Sequence, residues 1–323
     1  NQHNVEMFYN HPSIIIWSMG NETADGPNFT AAFNWIKSVD SSRPIHWERA
    51  IKGPNTELFC PMYLPQKACE EYALSTAKED QKPLIQCEYN HAMGNSGGGL
   101  KEYWDLVRKY PKFQGGFVWD FVDQALRDTK RGIYTYGGDY NKYDPSDNNF
   151  NCNGLISPDR VPNPHMYEVG YEYQNIWVQP VDLKAGKIKA RNEYFFRDLG
   201  NYALQWKILV NGKEAQMGIV SDLQVQPQQT ADLTLPYNLN PLLADPQSRD
   251  VQLNIDFVLK QPEPLMQKGQ VVAYQQFPIK DYYLEKSTAP EPEMETLAWY
   301  GSLKKTSKKK DKQVTIENQQ VSI

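Results

Sequence analysis

The chain has 323 residues, 40% hydrophobic and 12% aromatic, which is material enough for two domains with cores of their own. Lys plus Arg number 34 against 39 Asp plus Glu, a net charge of −5, so no global field draws nucleic acid or anionic lipid, and no apolar stretch is long enough to span a membrane. The four cysteines, Cys60, Cys69, Cys87 and Cys152, show neither C-x-x-C spacing nor a zinc pattern; Cys60 and Cys87 fall inside apolar strands, where buried free thiols are expected.

Residues 1 to 9 read as helix, and the turn Asn10-His11-Pro12-Ser13 leads into Ile14-Ile15-Ile16-Trp17, an apolar, β-branched run expected to be a strand buried on both faces. It ends in Ser18-Met19-Gly20-Asn21-Glu22. A helix over about 28–37 follows, then strands at Pro44–Glu48 and Leu58–Tyr63 and a helix from Gln66 to Ala77. The next strand, Pro83–Glu88, also ends in Glu. Gly97-Gly98-Gly99 opens a helix through Trp104, Leu106 and Val107, and Phe113–Asp120 is a fifth strand. Short apolar strands alternating with helices specify a parallel sheet with crossover connections. A (β/α)₈ TIM barrel needs eight such units and roughly 250 residues. The five read here are therefore expected to be the last five of a partial barrel, in a chain that begins mid-protein without an initiator Met; its compartment is not legible. Gly132 to Pro164 is polar and turn-rich, a long loop suited to a binding rim, and His165–Tyr173 is expected to be a helix covering the sheet.

From about Ile176 the period changes to two, at Lys187–Arg191, Leu204–Ile208 and Val251–Ile255, with Asn211-Gly212 as a hairpin signal. That pattern predicts an all-β domain, an immunoglobulin-like β-sandwich. The domain expectation is thus α/β over 1–175, β-sandwich over 176–285, and over 286–323 a linker, Thr288–Glu293, with the start of a further β domain at Val314–Ile316. The lysines at 304, 305 and 308–310 read as a solvated patch in that tail.

Glu22 and Glu88 close two strands of one sheet, at the carboxyl ends where α/β barrels place their chemistry. Two carboxylates at one mouth are the equipment of a retaining glycosidase, one protonating the leaving oxygen and one attacking the anomeric carbon. The bland alternative is a pair of rim carboxylates in salt bridges.

Five segments, in register, decide between them. Asn10-His-Pro-Ser-Ile-Ile-Ile-Trp-Ser-Met-Gly-Asn-Glu22 resembles the acid/base signature of family 2 glycoside hydrolases. Gln86-Cys-Glu-Tyr-Asn-His-Ala-Met-Gly-Asn95 resembles their nucleophile segment, that of the large bacterial β-galactosidases. Phe59–Tyr63, Gln114–Gln124 and Asn149–Ile156 are similar to the same enzymes, in the same order. The resemblance implies Glu22 as acid/base and Glu88 as nucleophile. It further implies Tyr63 as hydrogen-bond donor to the nucleophile, Asn21 and His91 as sugar-hydroxyl ligands, Trp119 as an apolar wall, and a cis peptide at Trp119-Asp120. It implies Mg²⁺ bound by Glu22 with ligands from elsewhere, and Na⁺ bound by the Phe150 carbonyl and the Asn153 side chain with a further ligand from elsewhere, hard cations suited to oxygen. The implied substrate is a β-galactoside, with room for a homo-oligomer in the full-length protein. A β-glucuronidase would want a cation for the substrate carboxylate, and Asp147–Asp159 contains no Lys or Arg. A noncatalytic carbohydrate-binding or structural fragment is the alternative from another class, and the chain alone is expected to be inactive.

Overall fold

The computed structural model describes residues 1–282 apart from Asn95, together with the backbone of two short strands, Thr315–Glu317 and Gln320–Ser322, which pair antiparallel. The linker over 288–293 and the lysines at 304–310 lie outside the described residues, as does Val314.

The first half runs α1 (Gln2–Phe8), β1 (Trp17–Ser18), α2 (Pro27–Val39), β2 (Ile45–His46), α3 (Gln66–Leu74), β3 (Leu84–Tyr89), α4 (Leu100–Lys109) and β4 (Phe113–Val118). β1 pairs parallel with β2, and β3 with β4. Residues 57–63 stitch the two pairs together. The Glu57 N–H donates to the Ile45 carbonyl at 2.8 Å, and Phe59 and Tyr63 donate to Pro83 and Glu88, each at 2.9 Å. Beyond β4 the chain continues beside residues 153–156. The result is an open arc of parallel strands, and among the described residues it does not close into a barrel.

Helices cover the convex side. α1 and α2 enclose Trp17, Ile36, Ile45 and Trp47, while α3, α4 and α5 (Pro164–Glu172) pack over Leu84, Leu100, Phe113 and Val169. The concave side stays open, with Phe117 59% exposed. A cavity of about 190 Å³ lies along it, lined by Ile16, His46, Cys60, Ile85, Cys87 and Phe117 among others.

Several expectations need correction. Ile14–Ile16 is not strand, and Ile15 is 70% exposed rather than buried on both faces, because β1 pairs only with β2 and has no second neighbour among the described residues. Leu58–Tyr63 makes isolated bridges at Phe59 and Met62 rather than a continuous strand; Pro61 supplies no ladder donor there. β2 ends at His46, where the chain turns into a short 3₁₀ helix, Glu48–Ala50. α3 stops at Leu74, where Ser75 is extended. The expected rim loop contains a strand, β6 (Ile133–Thr135), paired antiparallel with β5 (Leu126–Asp128).

The second half is all β: β7 (Ile176–Asp182), β8 (Lys187–Asn192), β9 (Tyr202–Val210), β10 (Lys213–Val220), β11 (Thr230–Thr234), a short α6 (Asn240–Ala244), β12 (Val251–Leu259) and β13 (Val271–Lys280). Two antiparallel sheets form, in the orders β11-β8-β7 and β10-β9-β12-β13. Their alternating residues, Ile176, Val178 and Ile188 from one and Leu204, Ile208, Leu253, Ile255 and Phe257 from the other, make one buried cluster. Asn211 (φ 48°) and Gly212 (φ 77°) both take the left-handed conformation that a two-residue hairpin turn between β9 and β10 requires.

At the junction of the halves, Arg108 on α4 lies 4.2 Å from the Trp177 ring centre. It pairs with Glu172 of α5 and Glu193 beyond β8, each at 3.2 Å.

Candidate active site

β3 begins in strict alternation, Leu84 and Gln86 towards the helices and Ile85 and Cys87 towards the open concave side. A register irregularity between Gln86 and Tyr89 breaks that parity. Tyr89 is therefore the residue buried against the helices, where its hydroxyl meets Tyr173 Oη at 2.6 Å and accepts from Trp104 Nε1 at 3.1 Å. Glu88 is freed to face the mouth, the re-aiming that bulges provide.

There Tyr63, at φ 52°, turns back from the end of its segment and donates its hydroxyl to Glu88 Oε2 at 2.5 Å. Burial, the hydrogen bond to Glu88, and the negative charges of Glu88 and then Glu22 all push the Tyr63 hydroxyl well above its ordinary pKa. It is held as a neutral donor. The Tyr63–Glu88 hydrogen bond joins the end of the 57–63 segment to the end of β3.

Glu22 stands exposed at φ 50°, its backbone N–H donating to Glu48 Oε1 at 2.9 Å. No side-chain hydrogen bond or salt bridge of Glu22 is found among the described residues. The neighbouring Asn21 is exposed, and its carbonyl accepts the Thr23 hydroxyl.

His91 shares a hydrogen bond of 2.9 Å between Nε2 and Asn153 Nδ2, and its ring lies edge-on to Tyr63, 5.8 Å between centres, and 5.7 Å from Phe150. Trp119 is half-buried, its N–H donating to the Tyr89 carbonyl, and the Trp119–Asp120 peptide is cis. The Asp120 N–H reaches the Asn153 carbonyl at 3.1 Å, which ties Trp119 to the same cluster. Tyr63, Glu88, His91, Trp119, Phe150 and Asn153 thus come together; among the described residues no hydrogen bond joins Asn21 to them.

Asn153 is buried, and its Oδ1 has no hydrogen-bond partner. An orphaned, buried amide oxygen is a donor of the kind a hard cation takes. Among the described residues no group of three or more His, Cys, Asp or Glu side chains is placed to hold a metal ion. The four cysteines are free; burial pushes Cys60 up to about 11 and Cys69 and Cys87 to about 12, so these are inert thiols.

Sequence reasoning missed Glu48. Like Glu22 and Glu88 it stands at the carboxyl end of a strand of the sheet, and that position was the available signal.

Comparison with known proteins adds the ancestry. Residues 1–178 match the profile described as glycosyl hydrolases family 2, TIM barrel domain. The chain belongs to that family. Residues 188–280 match domain 4 of beta-galactosidase, so a TIM-barrel domain is followed by a β domain, as the α/β arc and the two antiparallel sheets indicate. A beta-galactosidase of Aeromonas hydrophila is 41% identical over 70% of this chain and 23% of its own length. Those of Leuconostoc mesenteroides and Photobacterium profundum are 36% and 38% identical over 86% and 84% of this chain, and 28% and 27% of theirs. The chain spans about a quarter of the curated relatives it matches. No helix among the described residues is long and apolar enough to cross a membrane.

Proposed function

We propose that this chain carries both catalytic carboxylates of a retaining β-galactosidase, which removes terminal β-D-galactose by double displacement. The observation that carries the reading is Tyr63 donating its hydroxyl to Glu88 at the end of β3, within the residues that match the family 2 TIM barrel domain. Glu88 is the nucleophile. The Tyr63 hydrogen bond fixes the direction of its side chain and, once Glu88 has attacked the anomeric carbon, orients the ester for hydrolysis. Glu22, free of side-chain partners, protonates the departing glycosidic oxygen and then takes a proton from the water that attacks the galactosyl ester. A retaining mechanism needs the carboxyl groups about 5–5.5 Å apart.

Asn21 would hold the sugar 2-hydroxyl, a contact that strengthens as the oxocarbenium-like state forms, and His91 another hydroxyl, with Trp119 as an apolar wall. Glu22 would contribute to a Mg²⁺ site, and Asn153 Oδ1 with the Phe150 carbonyl to a Na⁺ site, completed by ligands from elsewhere in the protein. Such cations supply fixed positive charge that orients carboxylates and sugar hydroxyls. The β domain is read as immunoglobulin-like, since seven antiparallel strands in a three-strand and a four-strand sheet share one core. The arc open on its concave side leaves the mouth incomplete, and the 323-residue chain alone is expected to lack turnover.

Two substitutions in the full-length protein test this. Glu88→Gln removes the nucleophile and is expected to abolish turnover of nitrophenyl β-galactosides. Glu22→Ala should spare the first step with good leaving groups and slow deglycosylation. Azide, which needs no general base, should then restore turnover and yield β-galactosyl azide. An α-azide, or no rescue, would count against Glu22.

A further inference from the structure

Each proposed catalytic glutamate is held by a residue from the neighbouring segment of the arc. Tyr63 holds the carboxylate of Glu88. For Glu22 the partner is Glu48, the first residue of the 3₁₀ turn after β2, and it grips the backbone rather than the side chain. Glu48 has the marks of a built contact rather than a surface ion pair. Its side chain is only 8% exposed, so its carboxylate is largely withdrawn from water and needs partners. It has two, the Glu22 N–H and Arg49 Nε, both at 2.9 Å and both on Oε1.

What it grips is strained. Glu22 is at φ 50°, a conformation that favours glycine and that a residue with a side chain holds only where the surroundings enforce it. In extended or helical geometry Glu22 would launch its side chain in a different direction. A charge-assisted hydrogen bond to its N–H is an enforcing contact of suitable strength.

We propose that Glu48 is a positioning residue, whose carboxylate locks the Glu22 backbone in the left-handed conformation and so aims the acid/base side chain at the leaving oxygen. This rests on the reading of Glu22 as acid/base. Glu48 touches neither substrate nor the reacting atoms, and losing it misaims the proton donor while leaving the Glu88–Tyr63 pair intact.

The test uses full-length protein and kcat/KM, which reports the first, glycosyl-transferring step, on two β-galactosides. Dinitrophenyl galactoside has a leaving group that needs no proton, whereas methyl galactoside depends on the acid. General-acid assistance is worth about 10²–10⁴-fold, so Glu48→Leu should lose about tenfold or more on methyl galactoside and about twofold or less on dinitrophenyl galactoside. Glu48→Gln keeps a carbonyl oxygen for both donors and should retain most activity on both substrates. Glu48→Asp keeps the charge but withdraws it by one methylene; it should repeat the selective loss and serves if Glu48→Leu does not fold. Equal losses on the two substrates would mean a merely structural role, and no loss on either would mean that the contact is idle. Either result overturns the proposal. Wild-type protein inert on both galactosides would instead remove the parent reading, and this inference with it.

Discussion

The two halves of the chain solve the problem of burying apolar surface differently. In the β domain each strand offers one face to a single shared core, and Ile188, Ile208, Leu253 and Phe257 are all at most 1% exposed. In the arc the helix side is equally dry, with Leu84, Leu100 and Ile45 at 0%, but the concave side leaves Phe117 more than half exposed. A sheet that packs on a partner sheet completes itself, whereas a curved parallel sheet needs its own continuation to fill its inner face. The proposed chemistry belongs to the half that is not self-sufficient, and it sits at the edge of the unfilled face.

The largest expected effect comes from separating the halves. Residues 176–285 expressed alone should unfold cooperatively in urea, whereas residues 1–175 should bind a hydrophobic dye and unfold without a sharp transition. Equal cooperativity in both would dissolve the contrast.

Next come two phenylalanines of opposite environment. Phe257→Ala empties a 1%-exposed position and should cost about 3–5 kcal/mol, read from the urea midpoint. Phe117→Ala should lie within about 0.5 kcal/mol of wild type.

Arg108 tests how the halves are joined. Burial raises the Glu172 carboxyl above its ordinary 4.5, against the opposing hydrogen bond and charge of Arg108. Arg108→Met removes that compensation and should cost about 3 kcal/mol at pH 7. A carboxyl whose folded pKa is raised favours the folded state while protonated. That contribution is full below 4.5 and is lost as pH rises through the folded value, so the penalty should shrink on acidification towards 4.5. Glu172→Gln in the same background should recover much of the loss at pH 7. A penalty independent of pH would show that packing of Arg108 on Trp177, rather than charge, joins the halves.

A smaller effect is expected from Gly116→Ala on β4. The added Cβ would stand 2.9 Å from the Tyr89 ring, the residue after the proposed nucleophile. Overpacking of this kind costs about 1–3 kcal/mol. Because Tyr89 anchors β3 where its parity breaks, kcat/KM of the full-length protein should fall along with stability.

The same contrast governs what the sequence discloses. Period-two alternation predicts β8, β9 and β12 with their inward residues, and Asn211-Gly212 predicts the turn after β9, because a two-sheet core enforces alternation all along each strand. In the arc, helix α2 follows from apolar spacing and α4 and α5 are also expected, but Ile14–Ile16 is misleading. Its β-branched residues state a propensity, and pairing and burial depend on a neighbour that a local pattern does not contain. The hairpin of β5 and β6 escapes because three-residue strands are too short to show a period. In the site, the segments that carry Glu22, Glu88 and Tyr63 are legible. The parity break that turns Glu88 to the mouth is not, since strict alternation would turn it towards the helices. Glu48 was within reach by position alone, yet its use depends on a left-handed backbone 26 residues earlier that no spacing reveals.

The most direct measurement is covalent trapping. A 2-deoxy-2-fluoro β-galactosyl fluoride slows both steps of a double displacement, the second more, so that the glycosyl ester accumulates on the nucleophile. Full-length wild-type protein incubated with it, digested and mapped by mass spectrometry, should carry one fluorogalactosyl group on Glu88 within the peptide Gln86–His91. A label on any other residue, or time-dependent loss of activity without a covalent adduct, would contradict the assignment of Glu88 as nucleophile and with it the two-carboxylate account of this site.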